Sequence, residues 1–258
     1  MSERGVPRSL MLTTGGRETG RHGLDGPWRW APVGTVVRVS DEDRTEAERA
    51  RALDRDVAGA ADAHQRLLAT LDAWVERGAP TPDHPSELPG WTIGYVLTHL
   101  ARNADSHVRM LAGLDQYEGG AVGREAEIEA GAGRSAEALV ADVRRSIWAL
   151  EPAWAMHADW DTTARRAAGT VPMRELPFLR WREAEVHHVD LGLGIGFADI
   201  SREYLRLELR RMEMLWRARR PMGLTALPEA ALARPPHERL AWLLGRGSID
   251  GLDPAGIF

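Results

Sequence analysis

Leu176-Pro-Phe-Leu-Arg-Trp-Arg-Glu183-Ala-Glu-Val-His187-His188-Val-Asp190-Leu191 is the stretch on which the reading of the chain turns. Leu176, Leu179, Glu183, Val186 and Asp190 recur at the spacing of one helical face, and Gly192 and Gly194 stand where a helix would stop. Pro172 lies near the expected start of that helix. Glu183 and His187 are four apart, so both side chains fall on one face, one turn apart. Such a pair is commonly a solvated pair on an exposed face. Here it interrupts an apolar stripe, and buried polar groups need partners, which a metal ion can supply. Asp190 is placed to orient an imidazole from behind. Glu185 and His188 point elsewhere on the helical wheel and are expected at the surface or behind the ligands.

A second helix follows Thr92, a natural cap, and runs from about 93 to 113 with Val96, Leu97, Leu100, Val108 and Leu111 on its apolar face. His99 sits among them, and Asn103 and His107 continue a polar line along the same face. A lone histidine there is commonly an ordinary core residue. In a bundle, however, metal sites are assembled from side chains on facing helices. His99 with Glu183 and His187 makes a three-ligand set, which leaves one position open, the pattern of catalytic zinc. The same donors also accept iron, nickel or manganese.

Further apolar periods predict helices over 41–77, with Thr45 and Glu48 as a capping pattern, and over 135–155, 201–219 and 236–245. The proline-rich segment from Gly78 to Gly90 reads as a loop. The glycine-rich, acidic stretch 114–134 reads as a long loop, a kind of segment that often carries function. No strand is convincing; Gly34–Val39 is a weak candidate. The expectation is an all-α protein built on a four-helix bundle. Its divisions would be an N-terminal extension over 1–40, poorly ordered, a metal-binding bundle over 41–195, and a short, mostly helical C-terminal region over 196–258.

Composition narrows the chemistry. The chain has no cysteine, so thiolate metal sites and disulfides are excluded and any metal must sit on His, Asp or Glu. All 33 basic residues are arginine, yet the net charge is −5, and no basic face suggests nucleic acid as a partner. No run approaches the ~18 apolar residues of a membrane span. No apolar signal core precedes the bundle, so a cytoplasmic protein is expected.

Two segments carry a family resemblance. Leu88-Pro-Gly-Trp-Thr-Ile-Gly-Tyr-Val-Leu-Thr-His99-Leu resembles the GW(T/S)…H motif of the mycothiol-dependent maleylpyruvate isomerases, members of the DinB-like superfamily. Thr170-Val-Pro172, followed by Arg182-Glu183 and His187-His188-Val-Asp190-Leu-Gly192, resembles that family's TVP…RE…H-x-VDLG motif. The likeness spans about residues 50 to 195. It implies a DinB-like four-helix bundle with zinc on His99, Glu183 and His187. It implies that Arg124, otherwise an ordinary loop arginine, pairs with a substrate carboxylate. Asn103 and Arg246, the latter in a Gly-Arg-Gly segment similar to the family's late segment, are expected near the thiol cofactor. The implied activity is conversion of maleylpyruvate to fumarylpyruvate by a zinc-bound mycothiol, in a monomer or homodimer. Two alternatives share the scaffold: a mycothiol S-transferase conjugating another electrophile, and a non-catalytic metal-binding protein. The C-terminal region departs from the family, whose members carry a small α/β domain there.

Overall fold

A computed structural model describes residues 45–219 and 225–256. The expected N-terminal extension, with its Gly34–Val39 strand, lies outside the described residues. Four long helices form a closed ring: α1 (Glu46–Arg77), α2 (Ile93–Leu111), α4 (Ala136–Met156) and α5 (Leu176–Asp190). α1 packs on α5, α5 on α2, α2 on α4 and α4 back on α1. The starts follow local rules. The Thr45 hydroxyl accepts from the Glu48 amide while the Glu48 carboxylate accepts from the Thr45 amide, a reciprocal cap. Thr92 and Ser135 cap α2 and α4 in the same way with their hydroxyls.

One core lies between α1, α2 and α4, around Leu67, Leu71, Trp74, Leu97, Leu100, Val143 and Ile147. A second joins Trp181 and Ala184 of α5 to α6 (Arg202–Ala218) and α8 (Pro236–Leu243) through Tyr204, Met212, Trp216 and Trp242. A short helix, α7 (Glu229–Leu232), precedes α8. α5 therefore touches packed side chains on almost every side, which is why its polar residues other than the half-buried Glu183 are buried whichever way they point.

Three expectations need correction. The stretch 114–134 is not all loop: α3 (Gly120–Ala132) lies across α2. Its composition favours a loop, but packing overrides propensity. Ile128 is fully buried, and Gly94 lets the two backbones meet, since a Cβ there would lie 2.1 Å from the Ala132 carbonyl oxygen. A hairpin also precedes α5, with β1 (Thr163–Arg166) antiparallel to β2 (Gly169–Pro172) and Ala164 opposite Val171. Strands of four residues are too short to show a period of two. Finally, Glu185 and His188 are not at the surface but buried. Glu185 accepts from Arg66 of α1, the Trp181 indole and the Ser201 amide, while His188 bonds Thr70. No described helix is long and apolar enough to cross a membrane.

Candidate metal centre

α2 and α5 bring His99, Glu183 and His187 together, with one ligand atom from each lying within 4.8 Å of the others. Glu183 Oε2 lies 2.9 Å from His99 Nε2 and 3.3 Å from His187 Nε2. Two ligands held at about 2.0 Å and the tetrahedral angle are separated by about 3.3 Å, so this spacing suits a zinc ion. Both imidazoles are buried, while the Glu183 side chain is 16 % exposed, so the set opens on that side. Burial would hold the Glu183 carboxyl up, but hydrogen bonds from the two imidazoles outweigh it and keep the group well below the usual carboxylate range. An ionised carboxylate between two imidazoles is a ready donor set for a divalent cation.

The two histidines have different supports. His187 Nδ1 lies 2.9 Å from Asp190 Oδ2. Burial pushes its imidazole down, and the bonds to Asp190 and Glu183 more than reverse this and raise it. His99 is pushed down to about 4, first by burial. Its Nδ1 accepts from Arg124 Nη2 at 3.0 Å. Trp91 touches both rings, edge-on to His99 at 5.5 Å and stacked on His187 at 6.5 Å. Arg124 lies on α3 and also sits over the Tyr117 ring, 5.9 Å from its centre. α3 is held to α2 by a hydrogen bond between Tyr95 and Glu125.

Beneath the triad lies a polar layer. Arg180, fully buried one turn before Glu183, donates to His64, to the Leu100 carbonyl and to Asn103 Oδ1. Burial pushes its guanidinium down to about 10 and His107, further along the same face, to about 3. Of the residues expected near the thiol, Asn103 therefore faces Arg180, and Arg246 reaches Asp190. Trp91, Arg180 and Tyr117 were not singled out from the sequence. Trp91 stood inside a quoted motif, at the end of a turn closed by its amide on the Leu88 carbonyl.

The chain is thus an α-helical bundle with a His–Glu–His cluster of metal-ligand type between facing helices. The family model described as the mycothiol maleylpyruvate isomerase N-terminal domain matches residues 60–192, and the chain belongs to that family. Among solved structures, a mycothiol-dependent maleylpyruvate isomerase is similar at 22 % identity with a TM-score of 0.63, covering 76 % of this chain and 90 % of that one. A histidine-to-alanine mutant of the mycothiol-dependent maleylpyruvate isomerase gives a TM-score of 0.64 at the same identity and coverage. What is shared at that identity is the fold. No curated protein matches the chain.

Proposed function

We propose that this protein is a zinc- and mycothiol-dependent cis–trans isomerase acting on maleylpyruvate, with residues 41–195 as its metal-binding bundle and 196–258 as a C-terminal helical region. The observation that supports this most is the convergence of His99, Glu183 and His187 at metal-ligand spacing beside a half-buried arginine. His99, Glu183 and His187 would hold zinc, which when bound lowers the pKa of a thiol so that it is nucleophilic near neutral pH.

The remaining work falls to the chain. Arg124 presents a planar fork suited to a substrate carboxylate. Its side chain is 19 % exposed, open enough to meet a ligand and sheltered enough for the charge to count. Trp91, backed by Tyr95 at 4.5 Å between ring centres, gives the ligand imidazoles an aromatic neighbour. Isomerisation needs the double bond to become single for a moment. Bound mycothiol would supply a nucleophilic sulfur for reversible addition to the activated alkene, allowing rotation about the carbon–carbon bond before the same thiol leaves, while Arg124 would hold the substrate carboxylate. The thiol is thus regenerated, and a chain with no cysteine depends on one supplied from outside. Asn103 and Arg246 direct their polar groups to protein partners, so we give them roles in holding the site rather than in touching the thiol.

The test is zinc content of the purified protein, with maleylpyruvate turnover measured with and without mycothiol. About one zinc per chain and turnover that needs mycothiol in catalytic amounts supports the reading. Consumption of one thiol per product moves it to an S-transferase, and a protein that takes up no zinc refutes it.

A further inference from the structure

Asp190 ends α5 and is fully buried. Its carboxylate is shared. Oδ2 faces His187 Nδ1 at 2.9 Å and Arg246 Nη2 at 3.2 Å, while Oδ1 faces Arg246 Nε at 3.3 Å. The guanidinium thus spans both oxygens, in the bidentate manner that fixes a carboxylate's plane. Without such a fork the last torsion of an aspartate is broad and roughly two-fold, so Oδ2 would be free to leave the imidazole.

Arg246 is aimed by its own surroundings. It follows α8, whose Leu240, Trp242 and Leu243 are buried, with Trp242 packed against Trp216 at 4.9 Å between ring centres. Gly245 takes the left-handed conformation, φ 72°, which a side-chain-bearing residue rarely adopts. That turn lets the Arg246 amide bond the Ala241 carbonyl at 2.8 Å, and its Nη1 bonds the Leu244 carbonyl at 3.0 Å. The C-terminal region is therefore connected to the imidazole of a metal ligand through two side chains.

We propose that Arg246 is a positioning residue of the metal site: by clamping Asp190 it fixes the tautomer and ring angle of His187, so that the C-terminal region sets how tightly zinc is held. This rests on the metal reading above. When His187 gives Nε2, which lies 3.3 Å from Glu183 Oε2, to the metal, Nδ1 carries the hydrogen, and an oriented carboxylate behind it keeps it there. Arg246 also offsets the charge of Asp190, which alone in the core would be costly.

The experiment is zinc affinity by chelator competition on the full chain, for wild type, Arg246→Met, Asp190→Asn and the double variant, beside thermal unfolding of the metal-free forms. Partners behind a metal-ligating histidine typically change affinity by about 10–100-fold. Asp190→Asn is expected in that range and Arg246→Met near its lower end, about tenfold weaker. Because Arg246 acts through Asp190, the double variant should bind no more weakly than Asp190→Asn alone. If Arg246→Met does not fold, Arg246→Lys, which keeps the charge and loses the fork, carries the test with an expected weakening of about threefold. Wild-type affinity in the Arg246 variants, with only the unfolding temperature lowered, overturns the proposal and leaves Arg246 as a structural tie. A full additional loss in the double variant overturns it too. A wild type that binds no zinc overturns the metal reading itself, and the proposal with it.

Discussion

The two imidazoles that flank Glu183 are alike in burial and opposite in what stands behind them. His187 Nδ1 faces a carboxylate, an acceptor held by Arg246, whereas His99 Nδ1 faces the Arg124 guanidinium, which can only donate. The first arrangement suits a metal ligand as it stands. A neutral imidazole that gives Nε2 to a metal carries its hydrogen on Nδ1, so the second would set donor against donor. The α5 side of the site thus suits a metal as it stands, and the α3 side would have to yield to one. On the proposed function, Arg124 and zinc would compete for His99, and loading with zinc would release from that bond the arginine aimed at a substrate.

The largest effect should come where the two sides meet. Glu183→Ala removes the carboxylate that both imidazoles share and is expected to abolish stoichiometric zinc binding, read by metal analysis after dialysis. Zinc retained by this variant would place the metal elsewhere. The sharper test of the asymmetry is one of sign. Arg124→Met should tighten zinc by about tenfold, ~1.4 kcal/mol, because it removes both a like charge and the competing donor, while Asp190→Asn weakens it. Chelator competition reads both. If Arg124→Met weakens zinc, the two sides are equivalent and the comparison fails.

Acid should separate the same pair in the metal-free protein. His187 is raised, so protonating it favours the folded chain; that stability is present below the unfolded value near 6.5 and is lost as pH rises through the folded value. His99, lowered to about 4 mainly by burial, does the reverse. It must gain a proton on unfolding, so stability falls as pH drops from 6.5 towards 4. His64, also lowered to about 4 by burial, adds to that fall from outside the ligand set. Each such group steepens the loss by about 1.4 kcal/mol per pH unit. Histidine NMR titration of the zinc-free chain should therefore find His187 above 6.5 and His99 far below, and the opposite order would remove the basis of the comparison.

What the sequence carried of this site, and what it did not, follows the same division. Glu183 and His187 are one turn apart on one helix, and His99 sits on an apolar helical face, so local periodicity was enough to propose them. Asp190 behind His187 was readable for the same reason, three residues along. Its clamp was not: Arg246 lies beyond three further helices, and nothing in the spacing says that α8 returns to the end of α5. The hydrogen bond from Arg124 to His99 was equally hidden, since it depends on α3 forming in a glycine-rich stretch that local propensity reads as loop. Glu185 and His188 were misjudged because a helical wheel has one buried side only when one side packs. α5 is surrounded, and both residues found partners on α1.

Trp91 offers the smallest and most even-handed effect. Its indole meets His99 edge-on and His187 face to face, so it supports both imidazoles. Aromatic pairs of this kind contribute about 0.5–1.5 kcal/mol beyond area burial, and the position is only half-buried. Trp91→Leu keeps an apolar wall and loses the ring contacts, so zinc should bind about two- to tenfold more weakly. Because the loss falls on both ligands, it should persist in the Arg124→Met background and in the Asp190→Asn background alike. A loss confined to one background would show that Trp91 belongs to one side of the site, and would assign to that side the stacking that now spans both.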